Sequence, residues 1–242
     1  MDISALLDFI ETHCEEICTT IELKNLLQHD RRRGRPLRLV FDAEPCLVFF
    51  YGAQAGDWVS GGQWNSMVRF LQTFLETCSR CNMEATVFFN GTSVRERYSQ
   101  WCENQLSCSR HIQDIARIIR TKAFHPPKAL WVAPCGLTSV LRLALNHIGV
   151  PTVASYRDHH LEMVSFAREN GFDGIVSWDA DLIMFHAPPR YFSARELFLS
   201  YNWTISAVEV DVDAFARFID LHPSRFCILA TLLGMCLFIH SL

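Results

Sequence analysis

Short apolar runs alternate with longer amphipathic segments through most of this chain. The runs that we predict as strands are residues 37–41, 85–89, 129–133, 152–154 and 174–178. Segments with the spacing of apolar residues expected of helices include residues 63–79, 137–148 and 158–170. This alternation is typical of βαβ units. We therefore predict an α/β fold with a mainly parallel central sheet flanked by helices.

Both ends of the chain are predicted to be helical. Residues 3–17 carry apolar side chains at helical spacing, and residues 21–27 repeat the pattern. From Asp211 onward helices are predicted again, and they end in the uncharged segment 226–239. That segment is shorter than the ~20 residues that cross a bilayer, so we favour a buried helix over a tail anchor. We divide the chain into a sheet domain, residues 1–205, and a short helical appendage, residues 206–242.

The composition limits the partners and the compartment. The chain has 242 residues and a formal net charge of −4, so no overall positive field attracts it to nucleic acid. It carries 10 cysteines without an N-terminal pattern that resembles an export signal. Reduced thiols and a cytoplasmic or nuclear location, or both, are the expectation, with no membrane contact.

Two groups of arginines are candidates for contact with nucleic acid. A loop carries Arg31, Arg32, Arg33 and Arg35, and Arg95 and Arg97 follow the turn at Asn90. The loop arginines favour phosphate contact or nuclear import. Solvated surface charge is the plain alternative for both groups.

Polar side chains follow three of the predicted strands. Asp42 comes directly after the first, Asn90 follows the second, and Asp179 and Asp181 follow the strand that ends at residue 178. In an open α/β sheet, ligands bind outside the carboxyl ends of the strands. Clustered carboxylates repel one another unless a cation compensates them, and Mg²⁺ prefers oxygen ligands. The pattern raises the question of whether a magnesium site is functional or degenerate.

The helix predicted at residues 158–170 offers further candidates. Asp158 is either its N-cap or a fourth carboxylate of the cluster, and Glu162 lies one turn further along. We expect His160 to be neutral near pH 7. For the adjacent pair His159 and His160 we favour a capping or packing role over binding of a transition metal.

Several stretches are specific enough to indicate a family. They include Trp-Val-Ser-Gly-Gly-Gln-Trp at residues 58–64 and Arg-Glu-Asn-Gly-Phe at residues 168–172. On these stretches the chain resembles the constitutive coactivator of PPAR-gamma family, including its oxidative-stress-associated Src activator branch. That family is similar to the flap endonuclease and XPG nucleases, which implies a PIN-like fold. The resemblance extends from the N-terminus to about Gly234. In the nucleases the equivalent of the helix after Asn90 carries basic residues near the scissile phosphate, so the resemblance implies phosphate contact for Arg95 and Arg97, with Arg97 the better match.

The resemblance also implies a degenerate metal site. Asp42, Asp158, Asp179 and Asp181 fall on acidic positions of the nuclease pattern, whereas Asn90 and His160 replace acids there. A third acid, expected after the Leu-Leu-Gly at residues 232–234, is absent because Met235 follows. Two-metal catalysis needs both ions in place across the scissile phosphate. The resemblance therefore implies a pseudonuclease without catalytic residues, in which Asp42, Asp158, Asp179 and Asp181 bind metal weakly at most.

Three hypotheses follow. The first is an adaptor that needs no cofactor and binds RNA, or protein partners in signalling or transcription, without cutting. The second is a Mg²⁺-dependent, structure-specific nuclease that uses the four remaining aspartates. The third is a truncated product without activity, because the residues after Gly234 depart from the family pattern. The oligomeric state is left open.

Overall fold

The computed structural model describes residues 3–13, 16–29, 34–52, 62–91, 98–122, 132–134, 136–185 and 190–232. Its strands are β1 (Cys18–Glu22), β2 (Leu37–Asp42), β3 (Met83–Phe89), β4 (Thr152–Ala154), β5 (Gly174–Ser177), β6 (Tyr191–Ser200) and β7 (Thr204–Val210). Its helices are α1 (Ile3–His13), α2 (Leu23–His29), α3 (Leu47–Phe50), α4 (Trp64–Arg80), α5 (Tyr98–Lys122), α6 (Leu137–Ile148), α7 (His159–Glu169), α8 (Asp181–Met184), α9 (Val212–Phe218) and α10 (Phe226–Leu232).

The strands form one seven-stranded sheet in the order β1-β7-β6-β5-β2-β3-β4. The pairs from β6 through β4 are parallel, whereas β7 pairs antiparallel with both β6 and β1. The predicted α/β class with a mainly parallel sheet is therefore confirmed. The central strands β2 and β5 are almost wholly buried, which explains their continuous apolar sequences.

Each face of the sheet is covered by its own apolar core. Leu39 and Phe41 of β2 pack into the core formed with α4 and α6, whereas Val40 packs into the core formed with α1, α7, α9 and α10. This division follows from strand geometry, because successive side chains point to opposite faces. The two cores fix the central strands, and with them the side chains at the carboxyl edge of the sheet.

The antiparallel part of the sheet was not predicted. Residues 21–27 were expected to be helical, but Ile21 and Glu22 belong to β1 and the helix begins at Leu23. The apolar residues 182–185 could extend or flank a strand by composition, but they lie in α8 and its C-cap. The amide of Leu182 donates to the carbonyl of Asp179, so the chain turns immediately after β5 and cannot continue as a strand.

The C-terminal helices belong to the same packed unit as the sheet. The predicted boundary between residues 205 and 206 lies inside β7. Phe215 of α9 and Phe226 of α10 are buried in the core that also holds Leu7 and Ile10 of α1. Within the described residues, no helix combines the length and the apolar character needed to cross a membrane. Residues 233–242 lie outside them.

The part of the predicted strand 129–133 that the structure describes is not a strand. Residues 129–131 lie outside the described residues, and Val132 and Ala133 have no regular secondary structure.

Candidate metal centre at the carboxyl edge of the sheet

The adjacent parallel strands β2 and β5 bring the predicted acidic residues together. Asp42 is the last residue of β2. In the parallel register Phe41 lies opposite Val176, which places Asp42 next to Ser177 at the end of β5. Asp179 follows two residues later, and Asp181 is the first residue of α8. The sharp turn after β5 therefore returns two carboxylates to the edge where β2 ends.

The carboxylate of Asp42 is buried and has a donor on each oxygen. One oxygen, Oδ1, lies 3.0 Å from His159 Nε2, and the other, Oδ2, accepts a hydrogen bond of 2.8 Å from Ser177 Oγ. Only 2% of Asp42 is exposed. The other ring nitrogen of His159, Nδ1, is buried and has no hydrogen-bond partner among the described residues. Asp42 thus connects β2 to β5 and to the first turn of α7.

Asp179 and Asp181 share the neighbouring histidine. His160 Nε2 lies 2.7 Å from Asp179 Oδ2, and its Nδ1 lies 3.7 Å from Asp181 Oδ2. The second oxygen of Asp179 accepts a hydrogen bond of 3.0 Å from the backbone amide of Asp181. One potential ligand atom from each of the three residues lies within 4.8 Å of the others, so the group has the dimensions of a metal-binding cluster.

The imidazole between these carboxylates is cationic. Burial by itself lowers the pKa of His160, but the hydrogen bond with Asp179 and the charges of Asp179, Asp42 and Asp181 outweigh burial and raise that pKa to about 9. Burial raises the pKa of Asp179, but the hydrogen bond and the positive charge of His160 lead to a net lowering. The expectation that His160 is neutral near pH 7 was therefore wrong, because it left out the two carboxylates that enclose the ring.

A buried tyrosine holds the turn that carries Asp179, and a further acidic residue lies near Asp42. Tyr191 of β6 donates its hydroxyl to the carbonyl oxygens of Ser177, at 3.0 Å, and Asp179, at 3.3 Å. Burial raises the pKa of Tyr191 well above its usual value, so the hydroxyl remains a donor. Burial and the nearby charge of Asp42 raise the pKa of Glu44 as well. Glu44 thus adds a further acidic group near Asp42 that the sequence reasoning did not include.

Other predicted members of the cluster lie elsewhere. Asp158 is the N-cap of α7, and its Oδ1 accepts a hydrogen bond of 2.9 Å from the amide of Leu161. Glu162 accepts from the backbone amides of Tyr156 and Arg157 in the preceding loop. The side chain of Asn90, after β3, is exposed. A metal-binding role for Asp158 stays a prediction, and the capping alternative is the arrangement observed.

Most of the predicted nucleic-acid contacts fall where the structure gives no description. Arg31, Arg32, Arg33, Arg95 and Arg97 lie outside the described residues. The sixth candidate, Arg35, forms an ion pair with Asp173 and donates to the carbonyl of Gly171 at 3.1 Å. This pairing attaches the loop before β2 to the loop before β5. Its role in binding nucleic acid stays a prediction.

Comparison with solved structures identifies the fold. The catalytic core of Rad2 in complex with DNA substrate superposes with a TM-score of 0.57 at 14% sequence identity, over 94% of this chain and 61% of that one. Human GEN1 in complex with Holliday junction DNA gives a TM-score of 0.56 at 14% identity, over 93% of this chain and 50% of that one. At these identities the likeness shows the fold alone. The chain therefore has the α/β fold of these proteins, which confirms the predicted PIN-like fold.

Sequence comparison then identifies the family. Human constitutive coactivator of PPAR-gamma-like protein 1 is 37% identical over 97% of this chain and 22% of its own length. Human constitutive coactivator of PPAR-gamma-like protein 2 is 33% identical over 81% of this chain and 18% of its own length. A scan against models of protein families matches none of them. The predicted resemblance is confirmed: over the aligned region the chain belongs with the constitutive coactivator of PPAR-gamma family.

The relatives are much longer proteins. The chain spans about a fifth of the length of the first of these relatives.

Proposed function

We propose that this domain is a pseudonuclease that binds its partners as an adaptor and does not cut them. The observation that carries the proposal is the state of the two central aspartates. Both oxygens of Asp42 and both oxygens of Asp179 already have donors from within the chain. A nuclease of this fold needs such oxygens for Mg²⁺ ions that hold the attacking and leaving groups. Here the protein's own donors compensate the carboxylates.

The residues present do not fit a pair of Mg²⁺ ions. Mg²⁺ demands near-octahedral oxygen ligation and gives up water reluctantly. His160 contributes nitrogen atoms where an acid stands in the nuclease pattern, and the exposed side chain of Asn90 contributes no charge. An ion at Asp179 and Asp181 would have to displace the contacts of an imidazolium. We propose that the adaptor requires no cofactor.

The nature of the partner is inferred from the relatives and the fold. The relatives are named coactivators of a receptor, and the structural neighbours bind DNA. We propose RNA as the ligand of the basic loop that includes residues 31–33, and proteins of transcription or signalling as further partners. Action in the nucleus, the cytoplasm or both is part of this proposal.

The nuclease alternative is favoured by one observation, the proximity of His160, Asp179 and Asp181. Incubation of the purified chain with flap and single-stranded substrates in Mg²⁺ or Mn²⁺ tests both functions. We expect no cleavage above the level of an Asp179→Ala variant. Cleavage by the native chain that is lost in that variant would establish the nuclease instead.

A variant that restores two acids tests directly whether missing charge limits metal binding. The double substitution Asn90→Asp with His160→Glu restores two acids of the nuclease pattern and removes the competing imidazolium. We expect it to bind Mn²⁺ about tenfold more tightly or better in a calorimetric titration, a gain of roughly 1.4 kcal/mol or more. Equal affinity in the native chain and the double variant would show that charge at these two positions does not limit metal binding.

RNA binding is tested separately. We expect affinity for a single-stranded RNA to fall with rising salt, because binding releases counterions from the phosphates. The substitution Arg32→Glu should weaken binding, whereas Arg225→Glu changes the net charge equally on an exposed residue at the other end of the chain. Equal weakening by both variants, or none by either, would contradict a role for the loop.

A further inference from the structure

The longest helix among the described residues carries a seam that is apolar except at Gln105 and that the domain leaves largely uncovered. In α5, seven positions are separated alternately by three and four residues: Tyr98, Trp101, Gln105, Cys108, Ile112, Ile115 and Ile119. This is the a and d spacing of a heptad repeat, held over three heptads. An apolar stripe on a surface helix normally faces the core of its own domain.

Most of the seam faces solvent. Tyr98 is 59% exposed, Trp101 45%, Ile112 52% and Ile119 38%. The rings of Tyr98 and Trp101 stack on each other, with centroids 5.8 Å apart. Ile115 is the exception, since it is buried in the core beneath α4 and α6. Ile115 thus anchors the helix, while the seam on either side of it lacks a covering element within the described residues.

We propose that this seam is an interface through which two copies of the chain pair, α5 against α5. The first argument is the period of the pattern. A repeat of 3.5 residues keeps apolar residues in line with another helix, whereas packing on a sheet or a globular surface requires only the 3.6-residue period of the helix itself. The occupant that fits the pattern is therefore a helix of comparable length.

The second argument is the distribution of charge around α5. The e and g positions that flank the seam are Cys102, Asn104, Ser109, His111, Ala116 and Ile118, and none of them is an acid, a lysine or an arginine. Residues at these positions decide which partner a helix accepts. Without charge there, two identical helices meet without like-charge repulsion, which favours a second copy over a partner selected by opposite charge.

The charged residues of α5 lie away from the flanks. Glu103, Arg110 and Arg117 occupy f positions, and Asp114 and Arg120 occupy c and b positions. Lys122, the last residue of the helix, falls on the next d position, so the apolar seam ends at Ile119. Arg117 and Asp114 form an ion pair of 3.1 Å with each other along the same helix. Between Tyr98 and Ile119 the charged side chains therefore lie on the side of the helix opposite the seam, although Leu106 is also exposed on that outer side. This is largely the division expected of a helix that pairs through its seam.

The test measures the mass of the native chain by sedimentation velocity over a dilution series. We expect a species of twice the 27.8 kDa of one chain that dissociates on dilution. The variant Ile112→Glu, which changes an exposed residue and should leave the fold intact, is expected to weaken dimerisation about tenfold or more. Leu143→Glu is the matched control, because Leu143 is 70% exposed on α6 and lies outside the seam.

A chain that remains monomeric throughout the series would overturn the proposal, as would a dimer that persists in Ile112→Glu. Circular dichroism of each variant excludes unfolding as the cause of a change. The rival occupant is nucleic acid, since exposed aromatic rings also stack on bases. A titration with single-stranded RNA followed by tryptophan fluorescence tests it, and because the chain has six tryptophans, the same titration of Trp101→Phe identifies the signal of Trp101. Quenching that Tyr98→Ala abolishes, in a chain that never dimerises, would assign the face to nucleic acid.

Discussion

The negative charge at the carboxyl edge of the sheet is divided between Asp42 and the pair Asp179 and Asp181, and the two are compensated in different ways. Asp42 is almost completely buried and is held by two side chains from different elements, His159 of α7 and Ser177 of β5. Asp179 and Asp181 share a single imidazolium, and the side chain of Asp179 is 24% exposed. The first group therefore connects elements of the fold, whereas the second is an ion pair whose strength depends on one proton.

The largest loss of stability is expected from removing the buried carboxylate of Asp42. Asp42→Ala leaves His159 Nε2 and Ser177 Oγ without their acceptor in a dry environment. Loss of one partner from a buried polar or charged pair costs about 3 kcal/mol or more of the free energy of unfolding. Urea denaturation measures this loss.

The control for this change is Asp42→Asn, which retains the shape and one acceptor oxygen and should lose less. An Asp42→Ala variant as stable as the native chain would show that Asp42 does not connect β2 to β5 and α7.

The second effect is a dependence of stability on pH that comes from His160. The folded pKa of about 9 lies above the unfolded value of 6.5, so the stabilisation is fully present below pH 6.5 and is lost as the pH rises through 9. Each pKa unit corresponds to ~1.4 kcal/mol, so at most about 3 kcal/mol disappears across this window. Urea denaturation at several pH values measures it.

His160→Gln isolates this contribution, because glutamine keeps a donor near Asp179 but does not titrate. The difference in stability between the native chain and the variant should shrink from pH 6.5 to pH 9. A difference that stays constant over this range would mean that the imidazolium is not the group responsible.

The sequence was sufficient to predict four of the five described strands that pair in parallel, β2, β3, β4 and β5, but not β6. Strands β2, β3 and β5 are continuous apolar runs because both of their faces are buried, and such runs are easily recognised. The edge strand β1 was missed because Thr19 and Thr20 are exposed and its apolar residues could equally belong to a helix. In β6, the register shift between Ser193 and Phe198 breaks the alternation that would have indicated a strand.

The candidate site was predicted in part for similar reasons. The positions of Asp42, Asp179 and Asp181 follow from the ends of strands, which local sequence indicates. The contacts of His159 and Ser177 with Asp42 span 117 and 135 residues, and no local pattern specifies such pairs. His159 could have been suggested by its place in the first turn of a helix that follows a strand, but a capping role was the commoner expectation.

A third variant tests whether the contacts of the two oxygens of Asp42 contribute equally to stability. Ser177→Ala removes the donor to Oδ2 and leaves the contact of Oδ1 with His159. Loss of one buried hydrogen bond costs about 1–2 kcal/mol, which is less than the loss of the carboxylate itself. If Ser177→Ala and Asp42→Ala are equally destabilising in urea, the hydroxyl rather than His159 carries most of the interaction.

The smallest loss of stability is expected at Asp158, and it tests whether this residue acts independently of Asp42 and of the pair Asp179 and Asp181. Because its carboxylate caps α7 through the amide of Leu161, Asp158→Ala should cost about 1 kcal/mol, as expected for the loss of an N-cap. The dependence of stability on pH between 6.5 and 9 should remain that of the native chain, because His160 keeps both of its carboxylates. Asp158→Ser, which retains a capping oxygen without the charge, should recover most of the stability in urea denaturation. If instead serine fails to recover it and the pH dependence changes, the charge of Asp158 acts on His160, and Asp158 must be counted with Asp179 and Asp181.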